Sequence, residues 1–173
     1  MGLDFIMPID VLHVSALETS APDVERRRAS RLATIVIVFF VAWIGLQAPF
    51  GIMSGTDELL TAERTREMLL TERWEVHYNF QPSFEKPPLQ YWLTSLTLPR
   101  FQNRALAVRV WPLLYSALTL IAVGWLVRLV KPDEPWLVPL TLTILISAPL
   151  FSSESARGLL DIGLTLFTVL TFV

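Results

Sequence analysis

Cysteine is absent from the 173 residues. That excludes disulfide frameworks, thiolate nucleophiles and cysteine zinc sites. Histidine occurs only as His13 and His77, too few for a histidine-rich metal centre. Charge is also scarce: 17% of residues carry it, against about 25% in ordinary soluble domains. A net charge of −2 and a pI near 5.7 give no basic field for nucleic acid, so no nucleic-acid partner is expected. The excess is apolar: 53% hydrophobic residues and a mean hydropathy of +0.50. Disorder carries the opposite signature.

The apolar residues fall in runs. The first, Leu32 to Met53, is uncharged over about 22 residues, or roughly 33 Å of helix, enough to cross a hydrocarbon core of about 30 Å. The second runs from Val110 to Val127 between Arg109 and Arg128. The third, Trp136 to Phe151, is shorter and contains Pro139 and Pro149. A fourth starts near Ile162 and is still apolar at Val173. Helices of a soluble core would show a polar stripe at period 3.6, and the first two runs have none. The first run is too long for a signal-peptide core and lacks a small-x-small cleavage site, so it reads as an uncleaved signal anchor. The expected fold class is all-α: a polytopic membrane protein with about four transmembrane helices.

Arg26, Arg27, Arg28 and Arg31 precede the first span. The positive-inside rule then places residues 1–30 in the cytoplasm as a tail. Arg128 and Lys131, between the second and third runs, fall on the same side. Ser54 to Arg109 and Ser152 to Asp161 are therefore expected outside. Within the first of these, Gly55-Thr56-Asp57-Glu58 reads as a helix start, with Thr56 as cap and two acids suited to the macrodipole. Leu59, Ala62, Leu69 and Leu70 share one arc of that helix and Asp57, Arg64 and Thr71 the other, as on an interfacial helix. Pro87 to Leu98 reads as a second, non-spanning helix, with Tyr91 and Trp92 suited to the interfacial aromatic belt. A loop, Trp74 to Lys86, joins the two.

Three charged features thus share the outer face: Asp57-Glu58, Glu85-Lys86 and Asp161. Each has a plain structural reading. The first two acids suit a helix N-terminus, Lys86 suits an interfacial lysine with a snorkelling stem, and Asp161 could pair with Arg157 one helical turn earlier. From the residues alone the reading stops at an outward acidic cleft containing one lysine.

The strings DELLTAERTREML (Asp57 to Leu69) and NFQPSFEKPPLQYWL (Asn79 to Leu93), with Trp74 between them, resemble the first outer loop of polytopic GT-C glycosyltransferases. The branch is that of the protein O-mannosyltransferases and lipid A aminoarabinose transferase. Arg157 and Asp161 fit a later Arg-then-Asp motif. The resemblance covers about residues 30–173. It departs at Leu60 and Thr61, where an Arg-Tyr is common, and at Ser83, where a Tyr is common. It implies transfer of a sugar from a polyprenyl-phosphate donor to an acceptor hydroxyl of a glycan, lipid or protein outside the bacterial inner membrane.

By the same resemblance Asp57 is the general base and Asp161 a second acid. Lys86, Glu58 and Arg157 are substrate-binding, with Lys86 on the leaving phosphate. Glu85 either orients Lys86 or binds a divalent metal; no other cofactor is implied. A base within reach of the acceptor proton contributes about 10²- to 10⁴-fold, and a cation in a partly dry site stabilises the departing phosphate. The expected reaction is a single, inverting displacement.

The fourth run has about 12 residues after Asp161, roughly 18 Å of rise, so the chain reads as the N-terminal part of a longer protein, truncated in that span and inactive alone. The alternative is a non-catalytic membrane fragment or assembly partner retaining the family fold. A transporter piece fits less well, because transporters place charges near mid-bilayer.

Overall fold

The computed structural model describes residues 9–53 and 56–173. The first eight residues of the expected tail and Gly55 of the expected helix start lie outside them. Seven helices follow in order: α1 (Ile9–Gln47), α2 (Thr56–Thr71), α3 (Leu89–Thr97), α4 (Arg104–Val130), α5 (Leu137–Ser147), α6 (Pro149–Ala156) and α7 (Asp161–Leu170). A two-stranded antiparallel hairpin, β1 (His77–Tyr78) and β2 (Gln81–Pro82), lies between α2 and α3. It is a small addition to an all-α fold, inside the segment expected as plain loop.

Among the described residues, two helices are long and apolar enough to cross a membrane: residues 23–47 within α1 and all of α4, of 25 and 27 residues. The third run is not a straight span. Ala148 is extended, at ψ 120°, because the ring of Pro149 excludes helical geometry at the residue before it. Pro149 then opens α6, and α5 and α6 meet at 70°. Counted as one broken span, the pair raises the number to three. α7, from the fourth run, has 10 residues, or roughly 15 Å of rise, short of a full crossing.

α1 and α4 run antiparallel. Arg128 near the end of α4 donates to Ser30 Oγ of α1 at 3.3 Å. At the other end Asn103 caps α4 by accepting from the Leu106 N–H and donates to the Pro49 carbonyl at 2.8 Å. Their packed faces hold Ala33, Phe40 and Ile44 against Tyr115 and Leu120, with Val138, Leu142, Phe151, Ile162 and Leu166 completing the core. Phe40 stacks on Phe151 at 5.6 Å between ring centroids. Phe39, Trp43, Leu46, Ile121, Trp125, Leu140 and Ile144 point outward and are exposed, a surface that suits lipid and would be costly in water.

One end of this bundle carries the basic residues: Arg26, Arg27, Arg128 and Lys131 line a common cavity. The opposite end carries the segment between α1 and α4, with Asp57, Lys86 and Asp161. The charges expected to face opposite sides of the membrane are therefore separated along the bundle axis.

Candidate functional site

α2 turns its polar face inward. Glu58, Thr61, Arg64, Thr65, Glu67 and Met68 are buried, while Leu59, Leu69 and Leu70 are exposed. Each buried charge has an assigned partner. Arg109 grips Glu58 with two hydrogen bonds, Nε to Oε1 at 2.5 Å and Nη2 to Oε2 at 3.0 Å. The same guanidinium donates to the carbonyls of Ala48, Gly51 and Ile52 at 2.9, 3.1 and 3.2 Å, closing the frayed end of α1. Glu58 Oε1 also accepts from the Gly158 N–H at 3.2 Å. A Cβ at position 158 would run into Val108 Cγ1 and lie 3.2 Å from Glu58 Cγ, so the close approach requires glycine. Glu58, expected to bind substrate, is only 2% exposed and is committed to this clamp. The clamp follows from the five donors of Arg109, which the sequence showed only as a charge flanking a span.

Glu67 holds the hairpin. Its carboxylate accepts from the backbone N–H groups of Asn79 and Phe80 at 3.0 and 2.8 Å. Both residues have positive φ, 53° and 58°, the geometry of a tight two-residue hairpin turn. Arg64 donates to Glu85 at 2.5 Å and to the Tyr91 hydroxyl at 3.2 Å, with its guanidinium 5.2 Å from the Tyr78 ring centroid. Burial works against the Arg64 cation, yet the hydrogen bonds to Glu85 and Tyr91 outweigh it and hold its pKa above the ordinary value. Glu85 is thus bound to Arg64 rather than orienting Lys86. Among the described residues no three His, Asp or Glu side chains are placed together to hold a metal.

Tyr91 is also corrected. It is 1% exposed and anchored on Arg64, so it is a core residue and not part of an aromatic belt. Trp92 is exposed at the surface; its Nε1 donates to the Trp74 carbonyl and its ring meets Trp74 edge-on at 6.4 Å.

Asp57 and Lys86 are half-exposed and they meet: Lys86 Nζ lies 3.1 Å from Asp57 Oδ1. The prolines after Lys86 start α3 and fix its approach, while Asp57 projects from the first turn of α2. Asp161 opens α7 and lines a cavity of about 300 Å³ together with Lys86, Gln90 and Tyr115. Arg157 and Asp161 do not share a helix, because Arg157 is extended at the end of α6. The helical pairing considered for them is absent. Arg157 is exposed, within Coulombic reach of Glu154.

Glu154 was not singled out from the sequence. Its carboxylate lies within Coulombic reach of Asp161 and Asp57, and its Oε2 is buried without a hydrogen-bond partner. Nothing in its local pattern, FSSESARG, marks it, although the stretch from Ser152 to Asp161 is expected on this side. The site therefore combines Asp57, Glu154 and Asp161 with one lysine, above walls that are largely apolar.

The model of the family described as dolichyl-phosphate-mannose-protein mannosyltransferase matches residues 62–173, more than half of the chain. The chain belongs to this family. The matched stretch contains Lys86, Glu154 and Asp161, and Asp57 lies just before it. Among curated relatives, the undecaprenyl phosphate-alpha-4-amino-4-deoxy-L-arabinose arabinosyl transferase of Edwardsiella ictaluri is 35% identical over 92 residues, covering 53% of this chain and 17% of the relative. That of Proteus mirabilis is 32% identical over 115 residues, 64% of this chain and 20% of the relative. The Enterobacter protein is 27% identical over 143 residues, 82% of this chain and 26% of the relative. The matches thus span roughly a fifth to a quarter of these relatives. No solved structure matches the chain. Membership in the mannosyltransferase family and two membrane-crossing helices agree in making this a membrane protein.

Proposed function

We propose that this chain forms the donor-phosphate side of a membrane glycosyltransferase that moves a sugar from a polyprenyl-phosphate carrier to an acceptor hydroxyl on the extracytoplasmic face. The observation that carries the reading is the Asp57–Lys86 pair, 3.1 Å apart, whose lysine lines one cavity together with Asp161. A lipid-linked donor keeps its tail in the bilayer and its sugar-phosphate at the surface, and this cavity has charge at its rim and Leu160, Leu164 and Phe167 in its wall. Basic residues at the far end of the bundle support a cytoplasmic N-terminus and an extracytoplasmic site.

In this mechanism Lys86 receives the donor phosphate. A phosphate oxygen competes with Asp57 for the ammonium, and its binding frees the Asp57 carboxylate to accept a proton. Asp57 takes the proton of the acceptor hydroxyl as its oxygen attacks the anomeric carbon. The bond from that carbon to the phosphate oxygen breaks, and the electron pair leaves on the phosphate, held by Lys86. One displacement inverts the anomeric centre. Asp161 and Arg157 border the acceptor side, and Glu154 adds a carboxylate beside Asp161.

The test separates binding from transfer. Lys86→Ala is expected to abolish binding of undecaprenyl phosphate. Asp57→Asn, made in the full reading frame, is expected to keep that binding and lose about 10²- to 10⁴-fold in transfer rate. Unchanged transfer in Asp57→Asn removes the base, and unchanged binding in Lys86→Ala removes the phosphate site.

A further inference from the structure

Gln90 is the cavity-lining residue whose polar atoms are all left unpartnered. It is 2% exposed, it lines the cavity with Lys86, Tyr115 and Asp161, and both its Oε1 and its Nε2 are buried without a hydrogen-bond partner. A buried amide left unsatisfied costs roughly 1–3 kcal/mol at each polar atom, and such groups in a folded protein call for an explanation. Nearby polar groups are satisfied: Tyr91 bonds Arg64, and Thr97 bonds the Ala107 carbonyl at 2.7 Å. Thr94, one turn beyond Gln90, is also unpartnered but does not line the cavity.

The chemistry of the amide selects its ligand. Gln90 offers two N–H donors and one carbonyl acceptor side by side. A phosphate at neutral pH presents chiefly acceptors and would leave Oε1 unpaired. A prenyl chain presents neither. A sugar ring presents hydroxyl or amino substituents that donate and accept together. We infer that Gln90 reads a ring substituent of the donor's sugar, in the same cavity as the lysine that holds its phosphate, and so makes the cavity selective for the sugar-loaded carrier over the bare one. This rests on the assignment of Lys86 to the phosphate. Sites that hydrogen-bond a substrate group discriminate strongly against ligands lacking it, because their own buried groups are otherwise orphaned. Gln90 therefore acts in specificity, with Asp57 and Lys86 acting in the reaction.

The experiment uses the chain in lipid nanodiscs, titrated with undecaprenyl phosphate and with the same lipid carrying mannose or 4-amino-4-deoxyarabinose. The wild type is expected to bind at least one loaded lipid tenfold or more tightly than the bare one. Gln90→Leu is expected to lower that affinity to the level of the bare lipid, whose own binding stays within twofold. Thr94→Val is expected to keep the preference. Gln90→Ala, which only removes atoms, replaces the leucine variant if that one does not fold. A wild type without preference, or a Gln90 variant that keeps it, overturns the inference while leaving Lys86 untouched. Failure of the wild type to bind bare undecaprenyl phosphate overturns the phosphate site, and this inference with it.

Discussion

Glu58→Gln tests the clamp on which the site is built. Glu58 and Arg109 are 2% and 7% exposed at their side chains, so the substitution leaves a guanidinium buried without its counter-charge. Breaking one side of a buried pair costs about 3–5 kcal/mol. Glutamine keeps the shape and still accepts from one N–H of Arg109, which places the expectation near the lower end, about 3 kcal/mol. For a chain of this length each kcal/mol moves the melting temperature by about 2–4 °C, giving a fall of roughly 6–12 °C. The six tryptophans report unfolding by intrinsic fluorescence in detergent. Glu58→Leu combined with Arg109→Leu removes both charges but orphans the carbonyls of Ala48, Gly51 and Ile52 and the Gly158 N–H, so it is expected to recover none of the loss. Binding should weaken as well. Glu58 holds the Gly158 N–H, and Gly158 leads into Asp161 at the cavity. A Glu58→Gln protein that melts within about 2 °C of wild type would falsify the view that this pair anchors the site.

Three further outcomes follow from the geometry. Gly158→Ala is expected to lower the melting temperature by several degrees, because its Cβ collides with Val108 Cγ1, and adding Val108→Ala should restore part of the loss in the same assay. Glu67→Ala orphans the Asn79 and Phe80 N–H groups and should cost about 2 kcal/mol, seen as faster protease cleavage between β1 and β2. Phe80→Gly relieves a left-handed residue, φ 58°, and is expected to stabilise the hairpin by about 1 kcal/mol, with slower cleavage at the same place.

Much of the architecture was legible along the chain because lipid is a simple solvent. It demands long apolar runs with satisfied backbones, and the runs at Leu32–Met53 and Val110–Val127 became α1 and α4. The third run shows where that logic stops. Its hydropathy suited a span, but Pro149 imposed an extended Ala148 and a 70° bend. The leucine arc of α2 is legible as a face, and the arc carrying Arg64 lies opposite it. It proved to be the buried interface, since a protein at a membrane can pack its polar groups inward and show its leucines to lipid.

The sequence by itself determined the apolar runs, the separation of basic and acidic ends, and the family through its EKPPL run. It also singled out Asp57, Lys86 and Asp161. Only the tertiary structure decided which charges are already spent: Glu58 on Arg109, Glu85 on Arg64, Glu67 on a hairpin turn. It alone brought Lys86 to Asp57, Glu154 toward Asp161, and an unpartnered Gln90 to the cavity wall. The reason is that composition and periodicity set how each segment meets its solvent. Pairing among residues far apart in the chain depends on how rigid helices cross, and no local pattern encodes that.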